Sequence, residues 1–163
     1  MAGYVKLDSG MLNSTVWLDR DVRDVFITAL LMAELRELRE PTPQIEVTSL
    51  KQTGWMVPPG WYGVAHAASS GIVARAGVPL ADGIAALVKM GSPELDSRSG
   101  DFEGRRLVRI DGGFVVLNYM RYREKDYSAA ERMARYRARK AAAAIDPGEV
   151  ARLARMAIRE RKD

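Results

Sequence analysis

Apolar residues recur at spacings of three and four from Val22 to Ala33 (Val22, Val25, Phe26, Ala29, Leu30, Ala33). That is the stripe of a helix with one buried face. Asp19 or Asp21 offers its N-cap, and Pro41 and Pro43 are expected to end it. Upstream, Val5, Leu7, Met11, Leu12, Val16 and Trp17 follow no clean period, so Tyr4 to Trp17 reads as an irregular or short helical segment packed across the core.

Ile45 to Leu50 is β-branched and partly alternating, which predicts a strand. Thr53 to Gly63 is rich in Gly, Pro and Trp and reads as a structured loop, with Trp55 and Trp61 at the edge of the core or open to a partner. Val64 to Ala76 predicts one helix or two short ones, and Gly77-Val78-Pro79 a turn. Leu80 to Met90 predicts a further helix, with Leu80, Ile84, Leu87 and Val88 inward, stopped by Gly91-Ser92-Pro93. After a polar loop, Glu94 to Gly104, two apolar runs (Arg106 to Ile110, Phe114 to Leu117) flank Asp111-Gly112-Gly113. Glycine supplies the positive φ of a tight reversal, so this is a hairpin signal.

Ser128-Ala-Ala-Glu131 is a capping box opening a helix to about Ala144. Asp146-Pro147 opens a last one, with Val150, Leu153, Ala154 and Ala157 on one face and Arg152, Arg155, Arg159 and Lys162 on another. The fold expected is mainly α with a small β-hairpin, an α+β winged helix-turn-helix. It comprises a domain over 1–123, with a Trp/Pro-rich insertion at about 40–63, and a basic helical extension over 124–163. Three helices and then a hairpin, with a tight turn between the second and third helix, is the winged-helix order.

Charge sharpens the picture. From Arg121 to Asp163 there are 13 Lys or Arg and 7 Asp or Glu, a net +6, whereas Met1 to Met120 is −2 with 12 against 14. The whole chain's +4 therefore comes from its last quarter, whose densest run is Arg132, Arg135, Arg137, Arg139 and Lys140 around Tyr136. Each phosphate such residues neutralise releases condensed counterions, so a polyanion partner is expected. Against this stands the plainer reading of a solvated helix face. The absence of cysteine excludes disulfides and thiolate chemistry. With one histidine (His66, read as packing in an Ala-rich helix) and no Gly-x-x-x-x-Gly-Lys-Ser/Thr loop, no catalytic, metal or cofactor site is expected. Neither a membrane span nor a signal peptide is read, so a cytoplasmic setting is expected.

Order and motifs point further. Tyr4-Val-Lys-Leu, Leu12-Asn-Ser-Thr-Val-Trp17 and Arg23-Asp-Val-Phe-Ile-Thr-Ala-Leu-Leu-Met-Ala33 open a series. It continues with Val73-Ala-Arg-Ala-Gly-Val-Pro-Leu80, Ala85-Ala-Leu-Val-Lys-Met-Gly91, Ser92-Pro-Glu-Leu-Asp-Ser-Arg98 and Glu103-Gly-Arg-Arg106. Ile110-Asp-Gly-Gly-Phe-Val-Val-Leu-Asn-Tyr119 and Tyr122-Arg123 close it. Over roughly 4–38 and 64–123 this resembles the N-terminal domain of phage replisome-organiser and replication-initiation proteins. The resemblance implies a winged-helix binder of double-stranded DNA in a bacterial host cell, acting at a replication origin and recruiting a helicase or helicase loader. Two features depart from that pattern: the stretch from about Glu40 to Gly63 is longer, and the third helix carries only Asp82 and Lys89 as charges, where base readout needs Arg, Lys, Asn or Gln.

The expected DNA contacts are Lys89, Arg98 in the preceding loop, the hairpin arginines Arg105, Arg106 and Arg109, and the tail's Arg132, Arg135, Arg137, Arg139 and Lys140. For Arg106 and Arg109 the alternative is pairing with carboxylates on an outward strand face. Trp55, Trp61, Val150 and Leu153 are candidate partner contacts, including self-association as a homo-oligomer. Two other functions fit the same sequence: a phage transcriptional regulator on the same fold, and an adaptor or inhibitor that binds a host polymerase or another replication or transcription enzyme.

Overall fold

In the computed structural model Asp19 caps α1 (Arg20–Met32), its carboxylate accepting from the backbone N–H groups of Asp21 and Val22 at 3.0 and 3.3 Å. The structure describes Leu7, residues 9–123 and, further on, Met133, Ala134, Tyr136, Arg137 and Lys140. Two 3-10 turns, Ser9–Asn13 and Thr15–Leu18, precede α1, in keeping with the short helical segment expected there. The α1 stripe is as read: Val22, Val25, Phe26, Ala29 and Leu30 are all buried.

The helix ends earlier than the prolines suggest. Residues Glu34–Leu38 form β1, which pairs antiparallel with β4 (Gly60–Ala65), Glu34 opposite Val64 and Leu38 opposite Gly60. Glu-Leu-Arg-Glu-Leu is composed of good helix formers, but those preferences amount to tenths of a kcal/mol per residue and yield to a strand partner. Between them lies a second antiparallel pair, β2 (Thr42–Ile45) and β3 (Gln52–Val57). The strand expected at Ile45 to Leu50 is thus mostly the turn of this hairpin, with Leu50 at φ 60°. The loop expected at Thr53 to Gly63 is β3, a Pro58-Pro59 turn and β4.

The main sheet is antiparallel with order β1-β4-β6-β5, where β5 is Leu107–Ile110 and β6 is Gly113–Val116. Both of its faces are covered. Ala65, Leu107, Phe114 and Val116 face the helices in one core, with Phe26, Leu30, Ile72 and Leu87. Tyr62, Val64, Val108, Ile110, Val115 and Leu117 form a second core with Val57, to which Leu38, Trp55 and Phe102 add partly buried side chains. Burial on both faces explains why β6 reads as an unbroken apolar run rather than an alternating one.

The helix expected across Val64 to Ala76 is shortened by β4 to α2 (Ser69–Ala76). Gly77, at φ 68°, supplies the left-handed cap that ends it, and the chain turns through 113° into α3 (Leu80–Gly91). At Gly83 a Cβ would collide with Val73, so glycine is what lets α3 close on α2. This contact fixes the rotation of α3. Gly83, Ala86, Leu87, Met90 and Gly91 are buried, Ile84 is half-buried, and Leu80 and Val88, expected inward, are 59% and 42% exposed. The strands of the hairpin expected near Asp111 are β5 and β6, with Gly112 at φ 81°, and a short α4 (Tyr119–Arg123) follows. Tyr119 lies against Gly63 and its hydroxyl donates to the Ala33 carbonyl at 3.2 Å, tying α4 to the start of β1.

The architecture is mixed α+β, with more strand than the single hairpin expected. No single helix among the described residues is long and apolar enough to cross a membrane.

Candidate nucleic-acid interface

Arg105, Arg106 and Arg109 sit at the start of β5 and along it, where an outward strand face would present them to a phosphate backbone. The structure turns all three inward. The Arg105 guanidinium donates to the Gly91 carbonyl, to Gln44 Oε1 at 3.1 Å and to Glu103 Oε2, and it lies 4.8 Å from the centre of the Trp55 ring. Its side chain is only 11% exposed. Gln44, itself buried on β2, donates to the same Gly91 carbonyl at 2.7 Å. Arg109 donates to the Ser69 hydroxyl at 2.8 Å and to the Val47 carbonyl at 3.3 Å, and its guanidinium lies 5.9 Å from the Phe114 ring centre. These two arginines therefore pin the β2–β3 hairpin to α3, β5 and the first turn of α2. The stretch from about Glu40 to Gly63, longer than the resembled pattern, supplies the Gln44 and Val47 partners that hold them inward.

Arg106 serves another junction. It donates through Nε and Nη2 to Glu94 Oε2 at 3.3 and 3.2 Å and through Nη2 to the Thr15 hydroxyl at 2.7 Å, and Thr15 in turn donates to Glu94 at 2.8 Å. At 13% exposure this group joins the 3-10 turn before α1 to the loop before β5. An exposed, outward-facing trio of hairpin arginines is thus corrected to a set of internal ties. The hairpin tip itself carries exposed Asp111 and no arginine.

Lys89, on α3, pairs with Asp19 at 3.4 Å while remaining more than half exposed. Burial works against the Asp19 carboxylate, but the Val22 N–H and Lys89 more than offset it and hold its pKa below the ordinary carboxylate value. The rest of the α3 surface is Leu80, Ala81, Asp82, Ala85 and Val88, with no donor suited to a base edge besides Lys89. Trp55 is half-buried beneath Arg105, and Trp61 is 52% exposed on β4 opposite Glu37 of the outer strand. His66 lies exposed in the connection after β4, not within a helix.

Arg98 differs from the rest. It is exposed, and among the described residues no carboxylate stands within ion-pair distance of it. It lines an open groove of about 360 Å³ together with Arg106, Arg121, Ser97, Ser99 and Asn118, with Met11 and Tyr122 adding apolar surface. Arg121 is ion-paired to Asp101. Burial pushes the Tyr122 phenol up, and the Arg106 and Arg121 charges work in the opposite direction. Reading along the chain picks out Arg98 but neither Arg121 nor the serines, because the groove joins segments more than twenty residues apart. The Ser97-Arg98-Ser99 triplet is the one local signal.

In the tail Tyr136, Arg137 and Lys140 are helical and exposed. Arg132, Arg135, Arg139, Val150 and Leu153, and with them the proposed final helix, lie outside the described residues. Comparison of the chain with protein-family models, with curated proteins and with solved structures finds no match.

Proposed function

We propose that this chain is a winged-helix DNA-binding protein of phage type that acts in replication initiation. The observation that carries the DNA reading is the separation of charge, with a body of −2 joined to a last quarter of +6. The order of elements supports the scaffold. Setting β1 to β3 aside, the chain runs α1, β4, α2, a tight turn, α3 and the β5–β6 hairpin, with β4 hydrogen-bonded to that hairpin. The 113° between α2 and α3 falls in the range of about 90–120° typical of helix-turn-helix pairs. The replication role rests on the resemblance of its motifs and their order.

On this reading the division of labour is unusual for the fold. The hairpin arginines hold the domain together, and the tail supplies phosphate contacts that give affinity without specifying sequence. Fluorescence anisotropy of the full chain on a random-sequence duplex tests it: affinity should fall steeply as salt rises. Binding that is absent, or indifferent to salt, would sink the DNA reading. Footprinting on the encoding genome then separates protection of repeats at an origin from protection of a promoter, the mark of a transcriptional regulator.

One observation favours a partner protein as well. The exposed side of α3 carries Leu80 and Val88 with small residues between them, a surface suited to protein contact rather than to a hydrated groove. A helicase, a helicase loader or a host polymerase is the class of partner this reading implies.

A further inference from the structure

The groove that contains Arg98 has a donor-rich lining. Ser97 Oγ accepts from the Ser99 N–H at 3.4 Å and from Arg106 Nη2 at 3.5 Å. Ser99 Oγ accepts from the Asp101 N–H at 3.3 Å, and Ser14 Oγ, also in the lining, accepts from the Val16 N–H at 3.4 Å. Each hydroxyl thus uses its oxygen internally and keeps its hydrogen to offer. Asn118 adds an amide, and three guanidiniums contribute donors only. Among the described residues no carboxylate lines the groove; Glu94 and Asp101, which hold Arg106 and Arg121, are not part of its wall. A wall of donors is complementary to a ligand that only accepts and carries negative charge. A phosphate diester meets both conditions.

The groove also lies where the basic segment begins. Arg121 belongs to α4, which ends at Arg123, and the residues from Arg121 onward hold 13 of the chain's 25 Lys and Arg. We propose that this groove seats a backbone phosphate of a DNA strand, with Arg98 and Arg121 as its charged donors and Ser97, Ser99 and Asn118 completing the cradle. The proposal rests on the DNA-binding reading and relocates part of the contact. DNA is held at the base of the β5–β6 hairpin, beside Arg106 and Asn118, rather than across α3 and the hairpin tip. Met11 and Tyr122 offer the adjoining deoxyribose an apolar face.

The side-chain Nε–Hε resonances of the arginines in the full chain provide the test, titrated separately with inorganic pyrophosphate and with a random-sequence duplex. Both probes should shift Arg98 and Arg121 and leave Arg105 and Arg109 in place, since those two are committed to the β2–β3 hairpin. In parallel, Arg98→Gln should flatten the log–log salt dependence of duplex binding by about 1, the loss of one phosphate contact, and Arg98→Lys should restore it. Arg98 is exposed and has no ion pair among the described residues, so neither variant threatens folding. Duplex binding with an unchanged slope in Arg98→Gln and unshifted groove arginines would overturn the proposal while leaving the DNA reading intact. Failure of the duplex to bind at all would instead remove the DNA reading; shifts with pyrophosphate alone would then assign the groove to a small phosphate ligand and overturn the nucleic-acid assignment. Silence with both probes would overturn the site itself.

Discussion

At Arg105 four kinds of contact meet on one planar group: a backbone carbonyl, a buried amide, a carboxylate and an aromatic face. A guanidinium satisfies all of them at once because its five donors lie in a fixed plane whose faces remain free to stack. Removing it leaves the buried Gln44 Oε1 with only the Thr53 hydroxyl, at 3.3 Å, and releases Trp55 from its cover. Hydrogen bonds to charged groups are each worth about 1.5–3 kcal/mol, so Arg105→Ala should cost about 2–3 kcal/mol in urea unfolding, and Arg105→Lys should recover little of it. An exposed strand-face arginine would change stability by no more than about 0.5 kcal/mol, so the size of the loss distinguishes the two placements. That Arg105, Arg106 and Arg109 are chemically important was legible from their clustering around an apolar hairpin. The direction of their side chains was not, because it is set by the β2–β3 hairpin, the first turn of α2 and the 3-10 turn before α1, segments 40 to 91 residues away in sequence. Arg98, expected from the sequence to meet phosphate from the loop before the hairpin, is exposed in that loop.

Elements with a strong internal period were recovered from sequence, and those defined by a partner were not. The buried stripe of α1 and the β5–β6 hairpin follow from spacing and turn chemistry alone. By contrast, β1 exists because β4 lies beside it, and β3 was hidden by Gly54 and the Pro58-Pro59 turn, which punctuate it like a loop. On α3, Leu80, Ile84, Leu87 and Val88 were taken as the inward side chains; Leu87 is buried and Ile84 half-buried, but close approach at Gly83 turns Gly83, Ala86 and Met90 inward and leaves Leu80 and Val88 outside. The cap of α1 gives this scale its own prediction. Asp19→Ala removes acceptors for two N–H groups and should cost about 1 kcal/mol, the usual loss at an N-cap. Asp19→Asn keeps the cap but loses the charge that Lys89 meets. Because the folded carboxylate titrates below its unfolded value, its contribution is complete above that unfolded value of about 3.9 and fades as pH falls through the lower folded one. Melting temperatures from pH 7 down to about 2.5 should therefore converge for the wild type and Asp19→Asn at the acid end. A gap that stays constant across that range would show that the charge of Asp19 does not contribute.

Among the described residues, the side chains that hold the fold and those that suit a polyanion overlap at the groove, where Met11, Arg106 and Tyr122 belong to both. Every core side chain among the described residues lies between Met11 and Tyr122, and many of the body's arginines are paired with its own carboxylates: Arg23 and Arg20 with Asp24, Arg36 with Glu34, Arg39 with Glu37, Arg105 with Glu103 and Arg106 with Glu94. Lys51, Arg75 and Arg98 are exposed cations without an ion pair among the described residues of the body, so most of the unpaired positive charge belongs to the tail, which is expected to be separable from folding. Deleting Ser128 to Asp163 removes Arg132, Arg135, Arg137, Arg139, Lys140, Arg152, Arg155, Arg159, Arg161 and Lys162 and, among the described residues, no core side chain. The unfolding midpoint of the remaining body should hardly move. If about four of the lost cations meet phosphates, the log–log salt slope for a random duplex should flatten by roughly 3 to 4. The groove contact, worth about 1 in the same slope, should survive in the truncated protein and disappear only when Arg98→Gln is added. An unchanged slope after truncation would mean that the basic tail is a solvated surface, and the charge separation on which the DNA reading stands would then have no binding consequence.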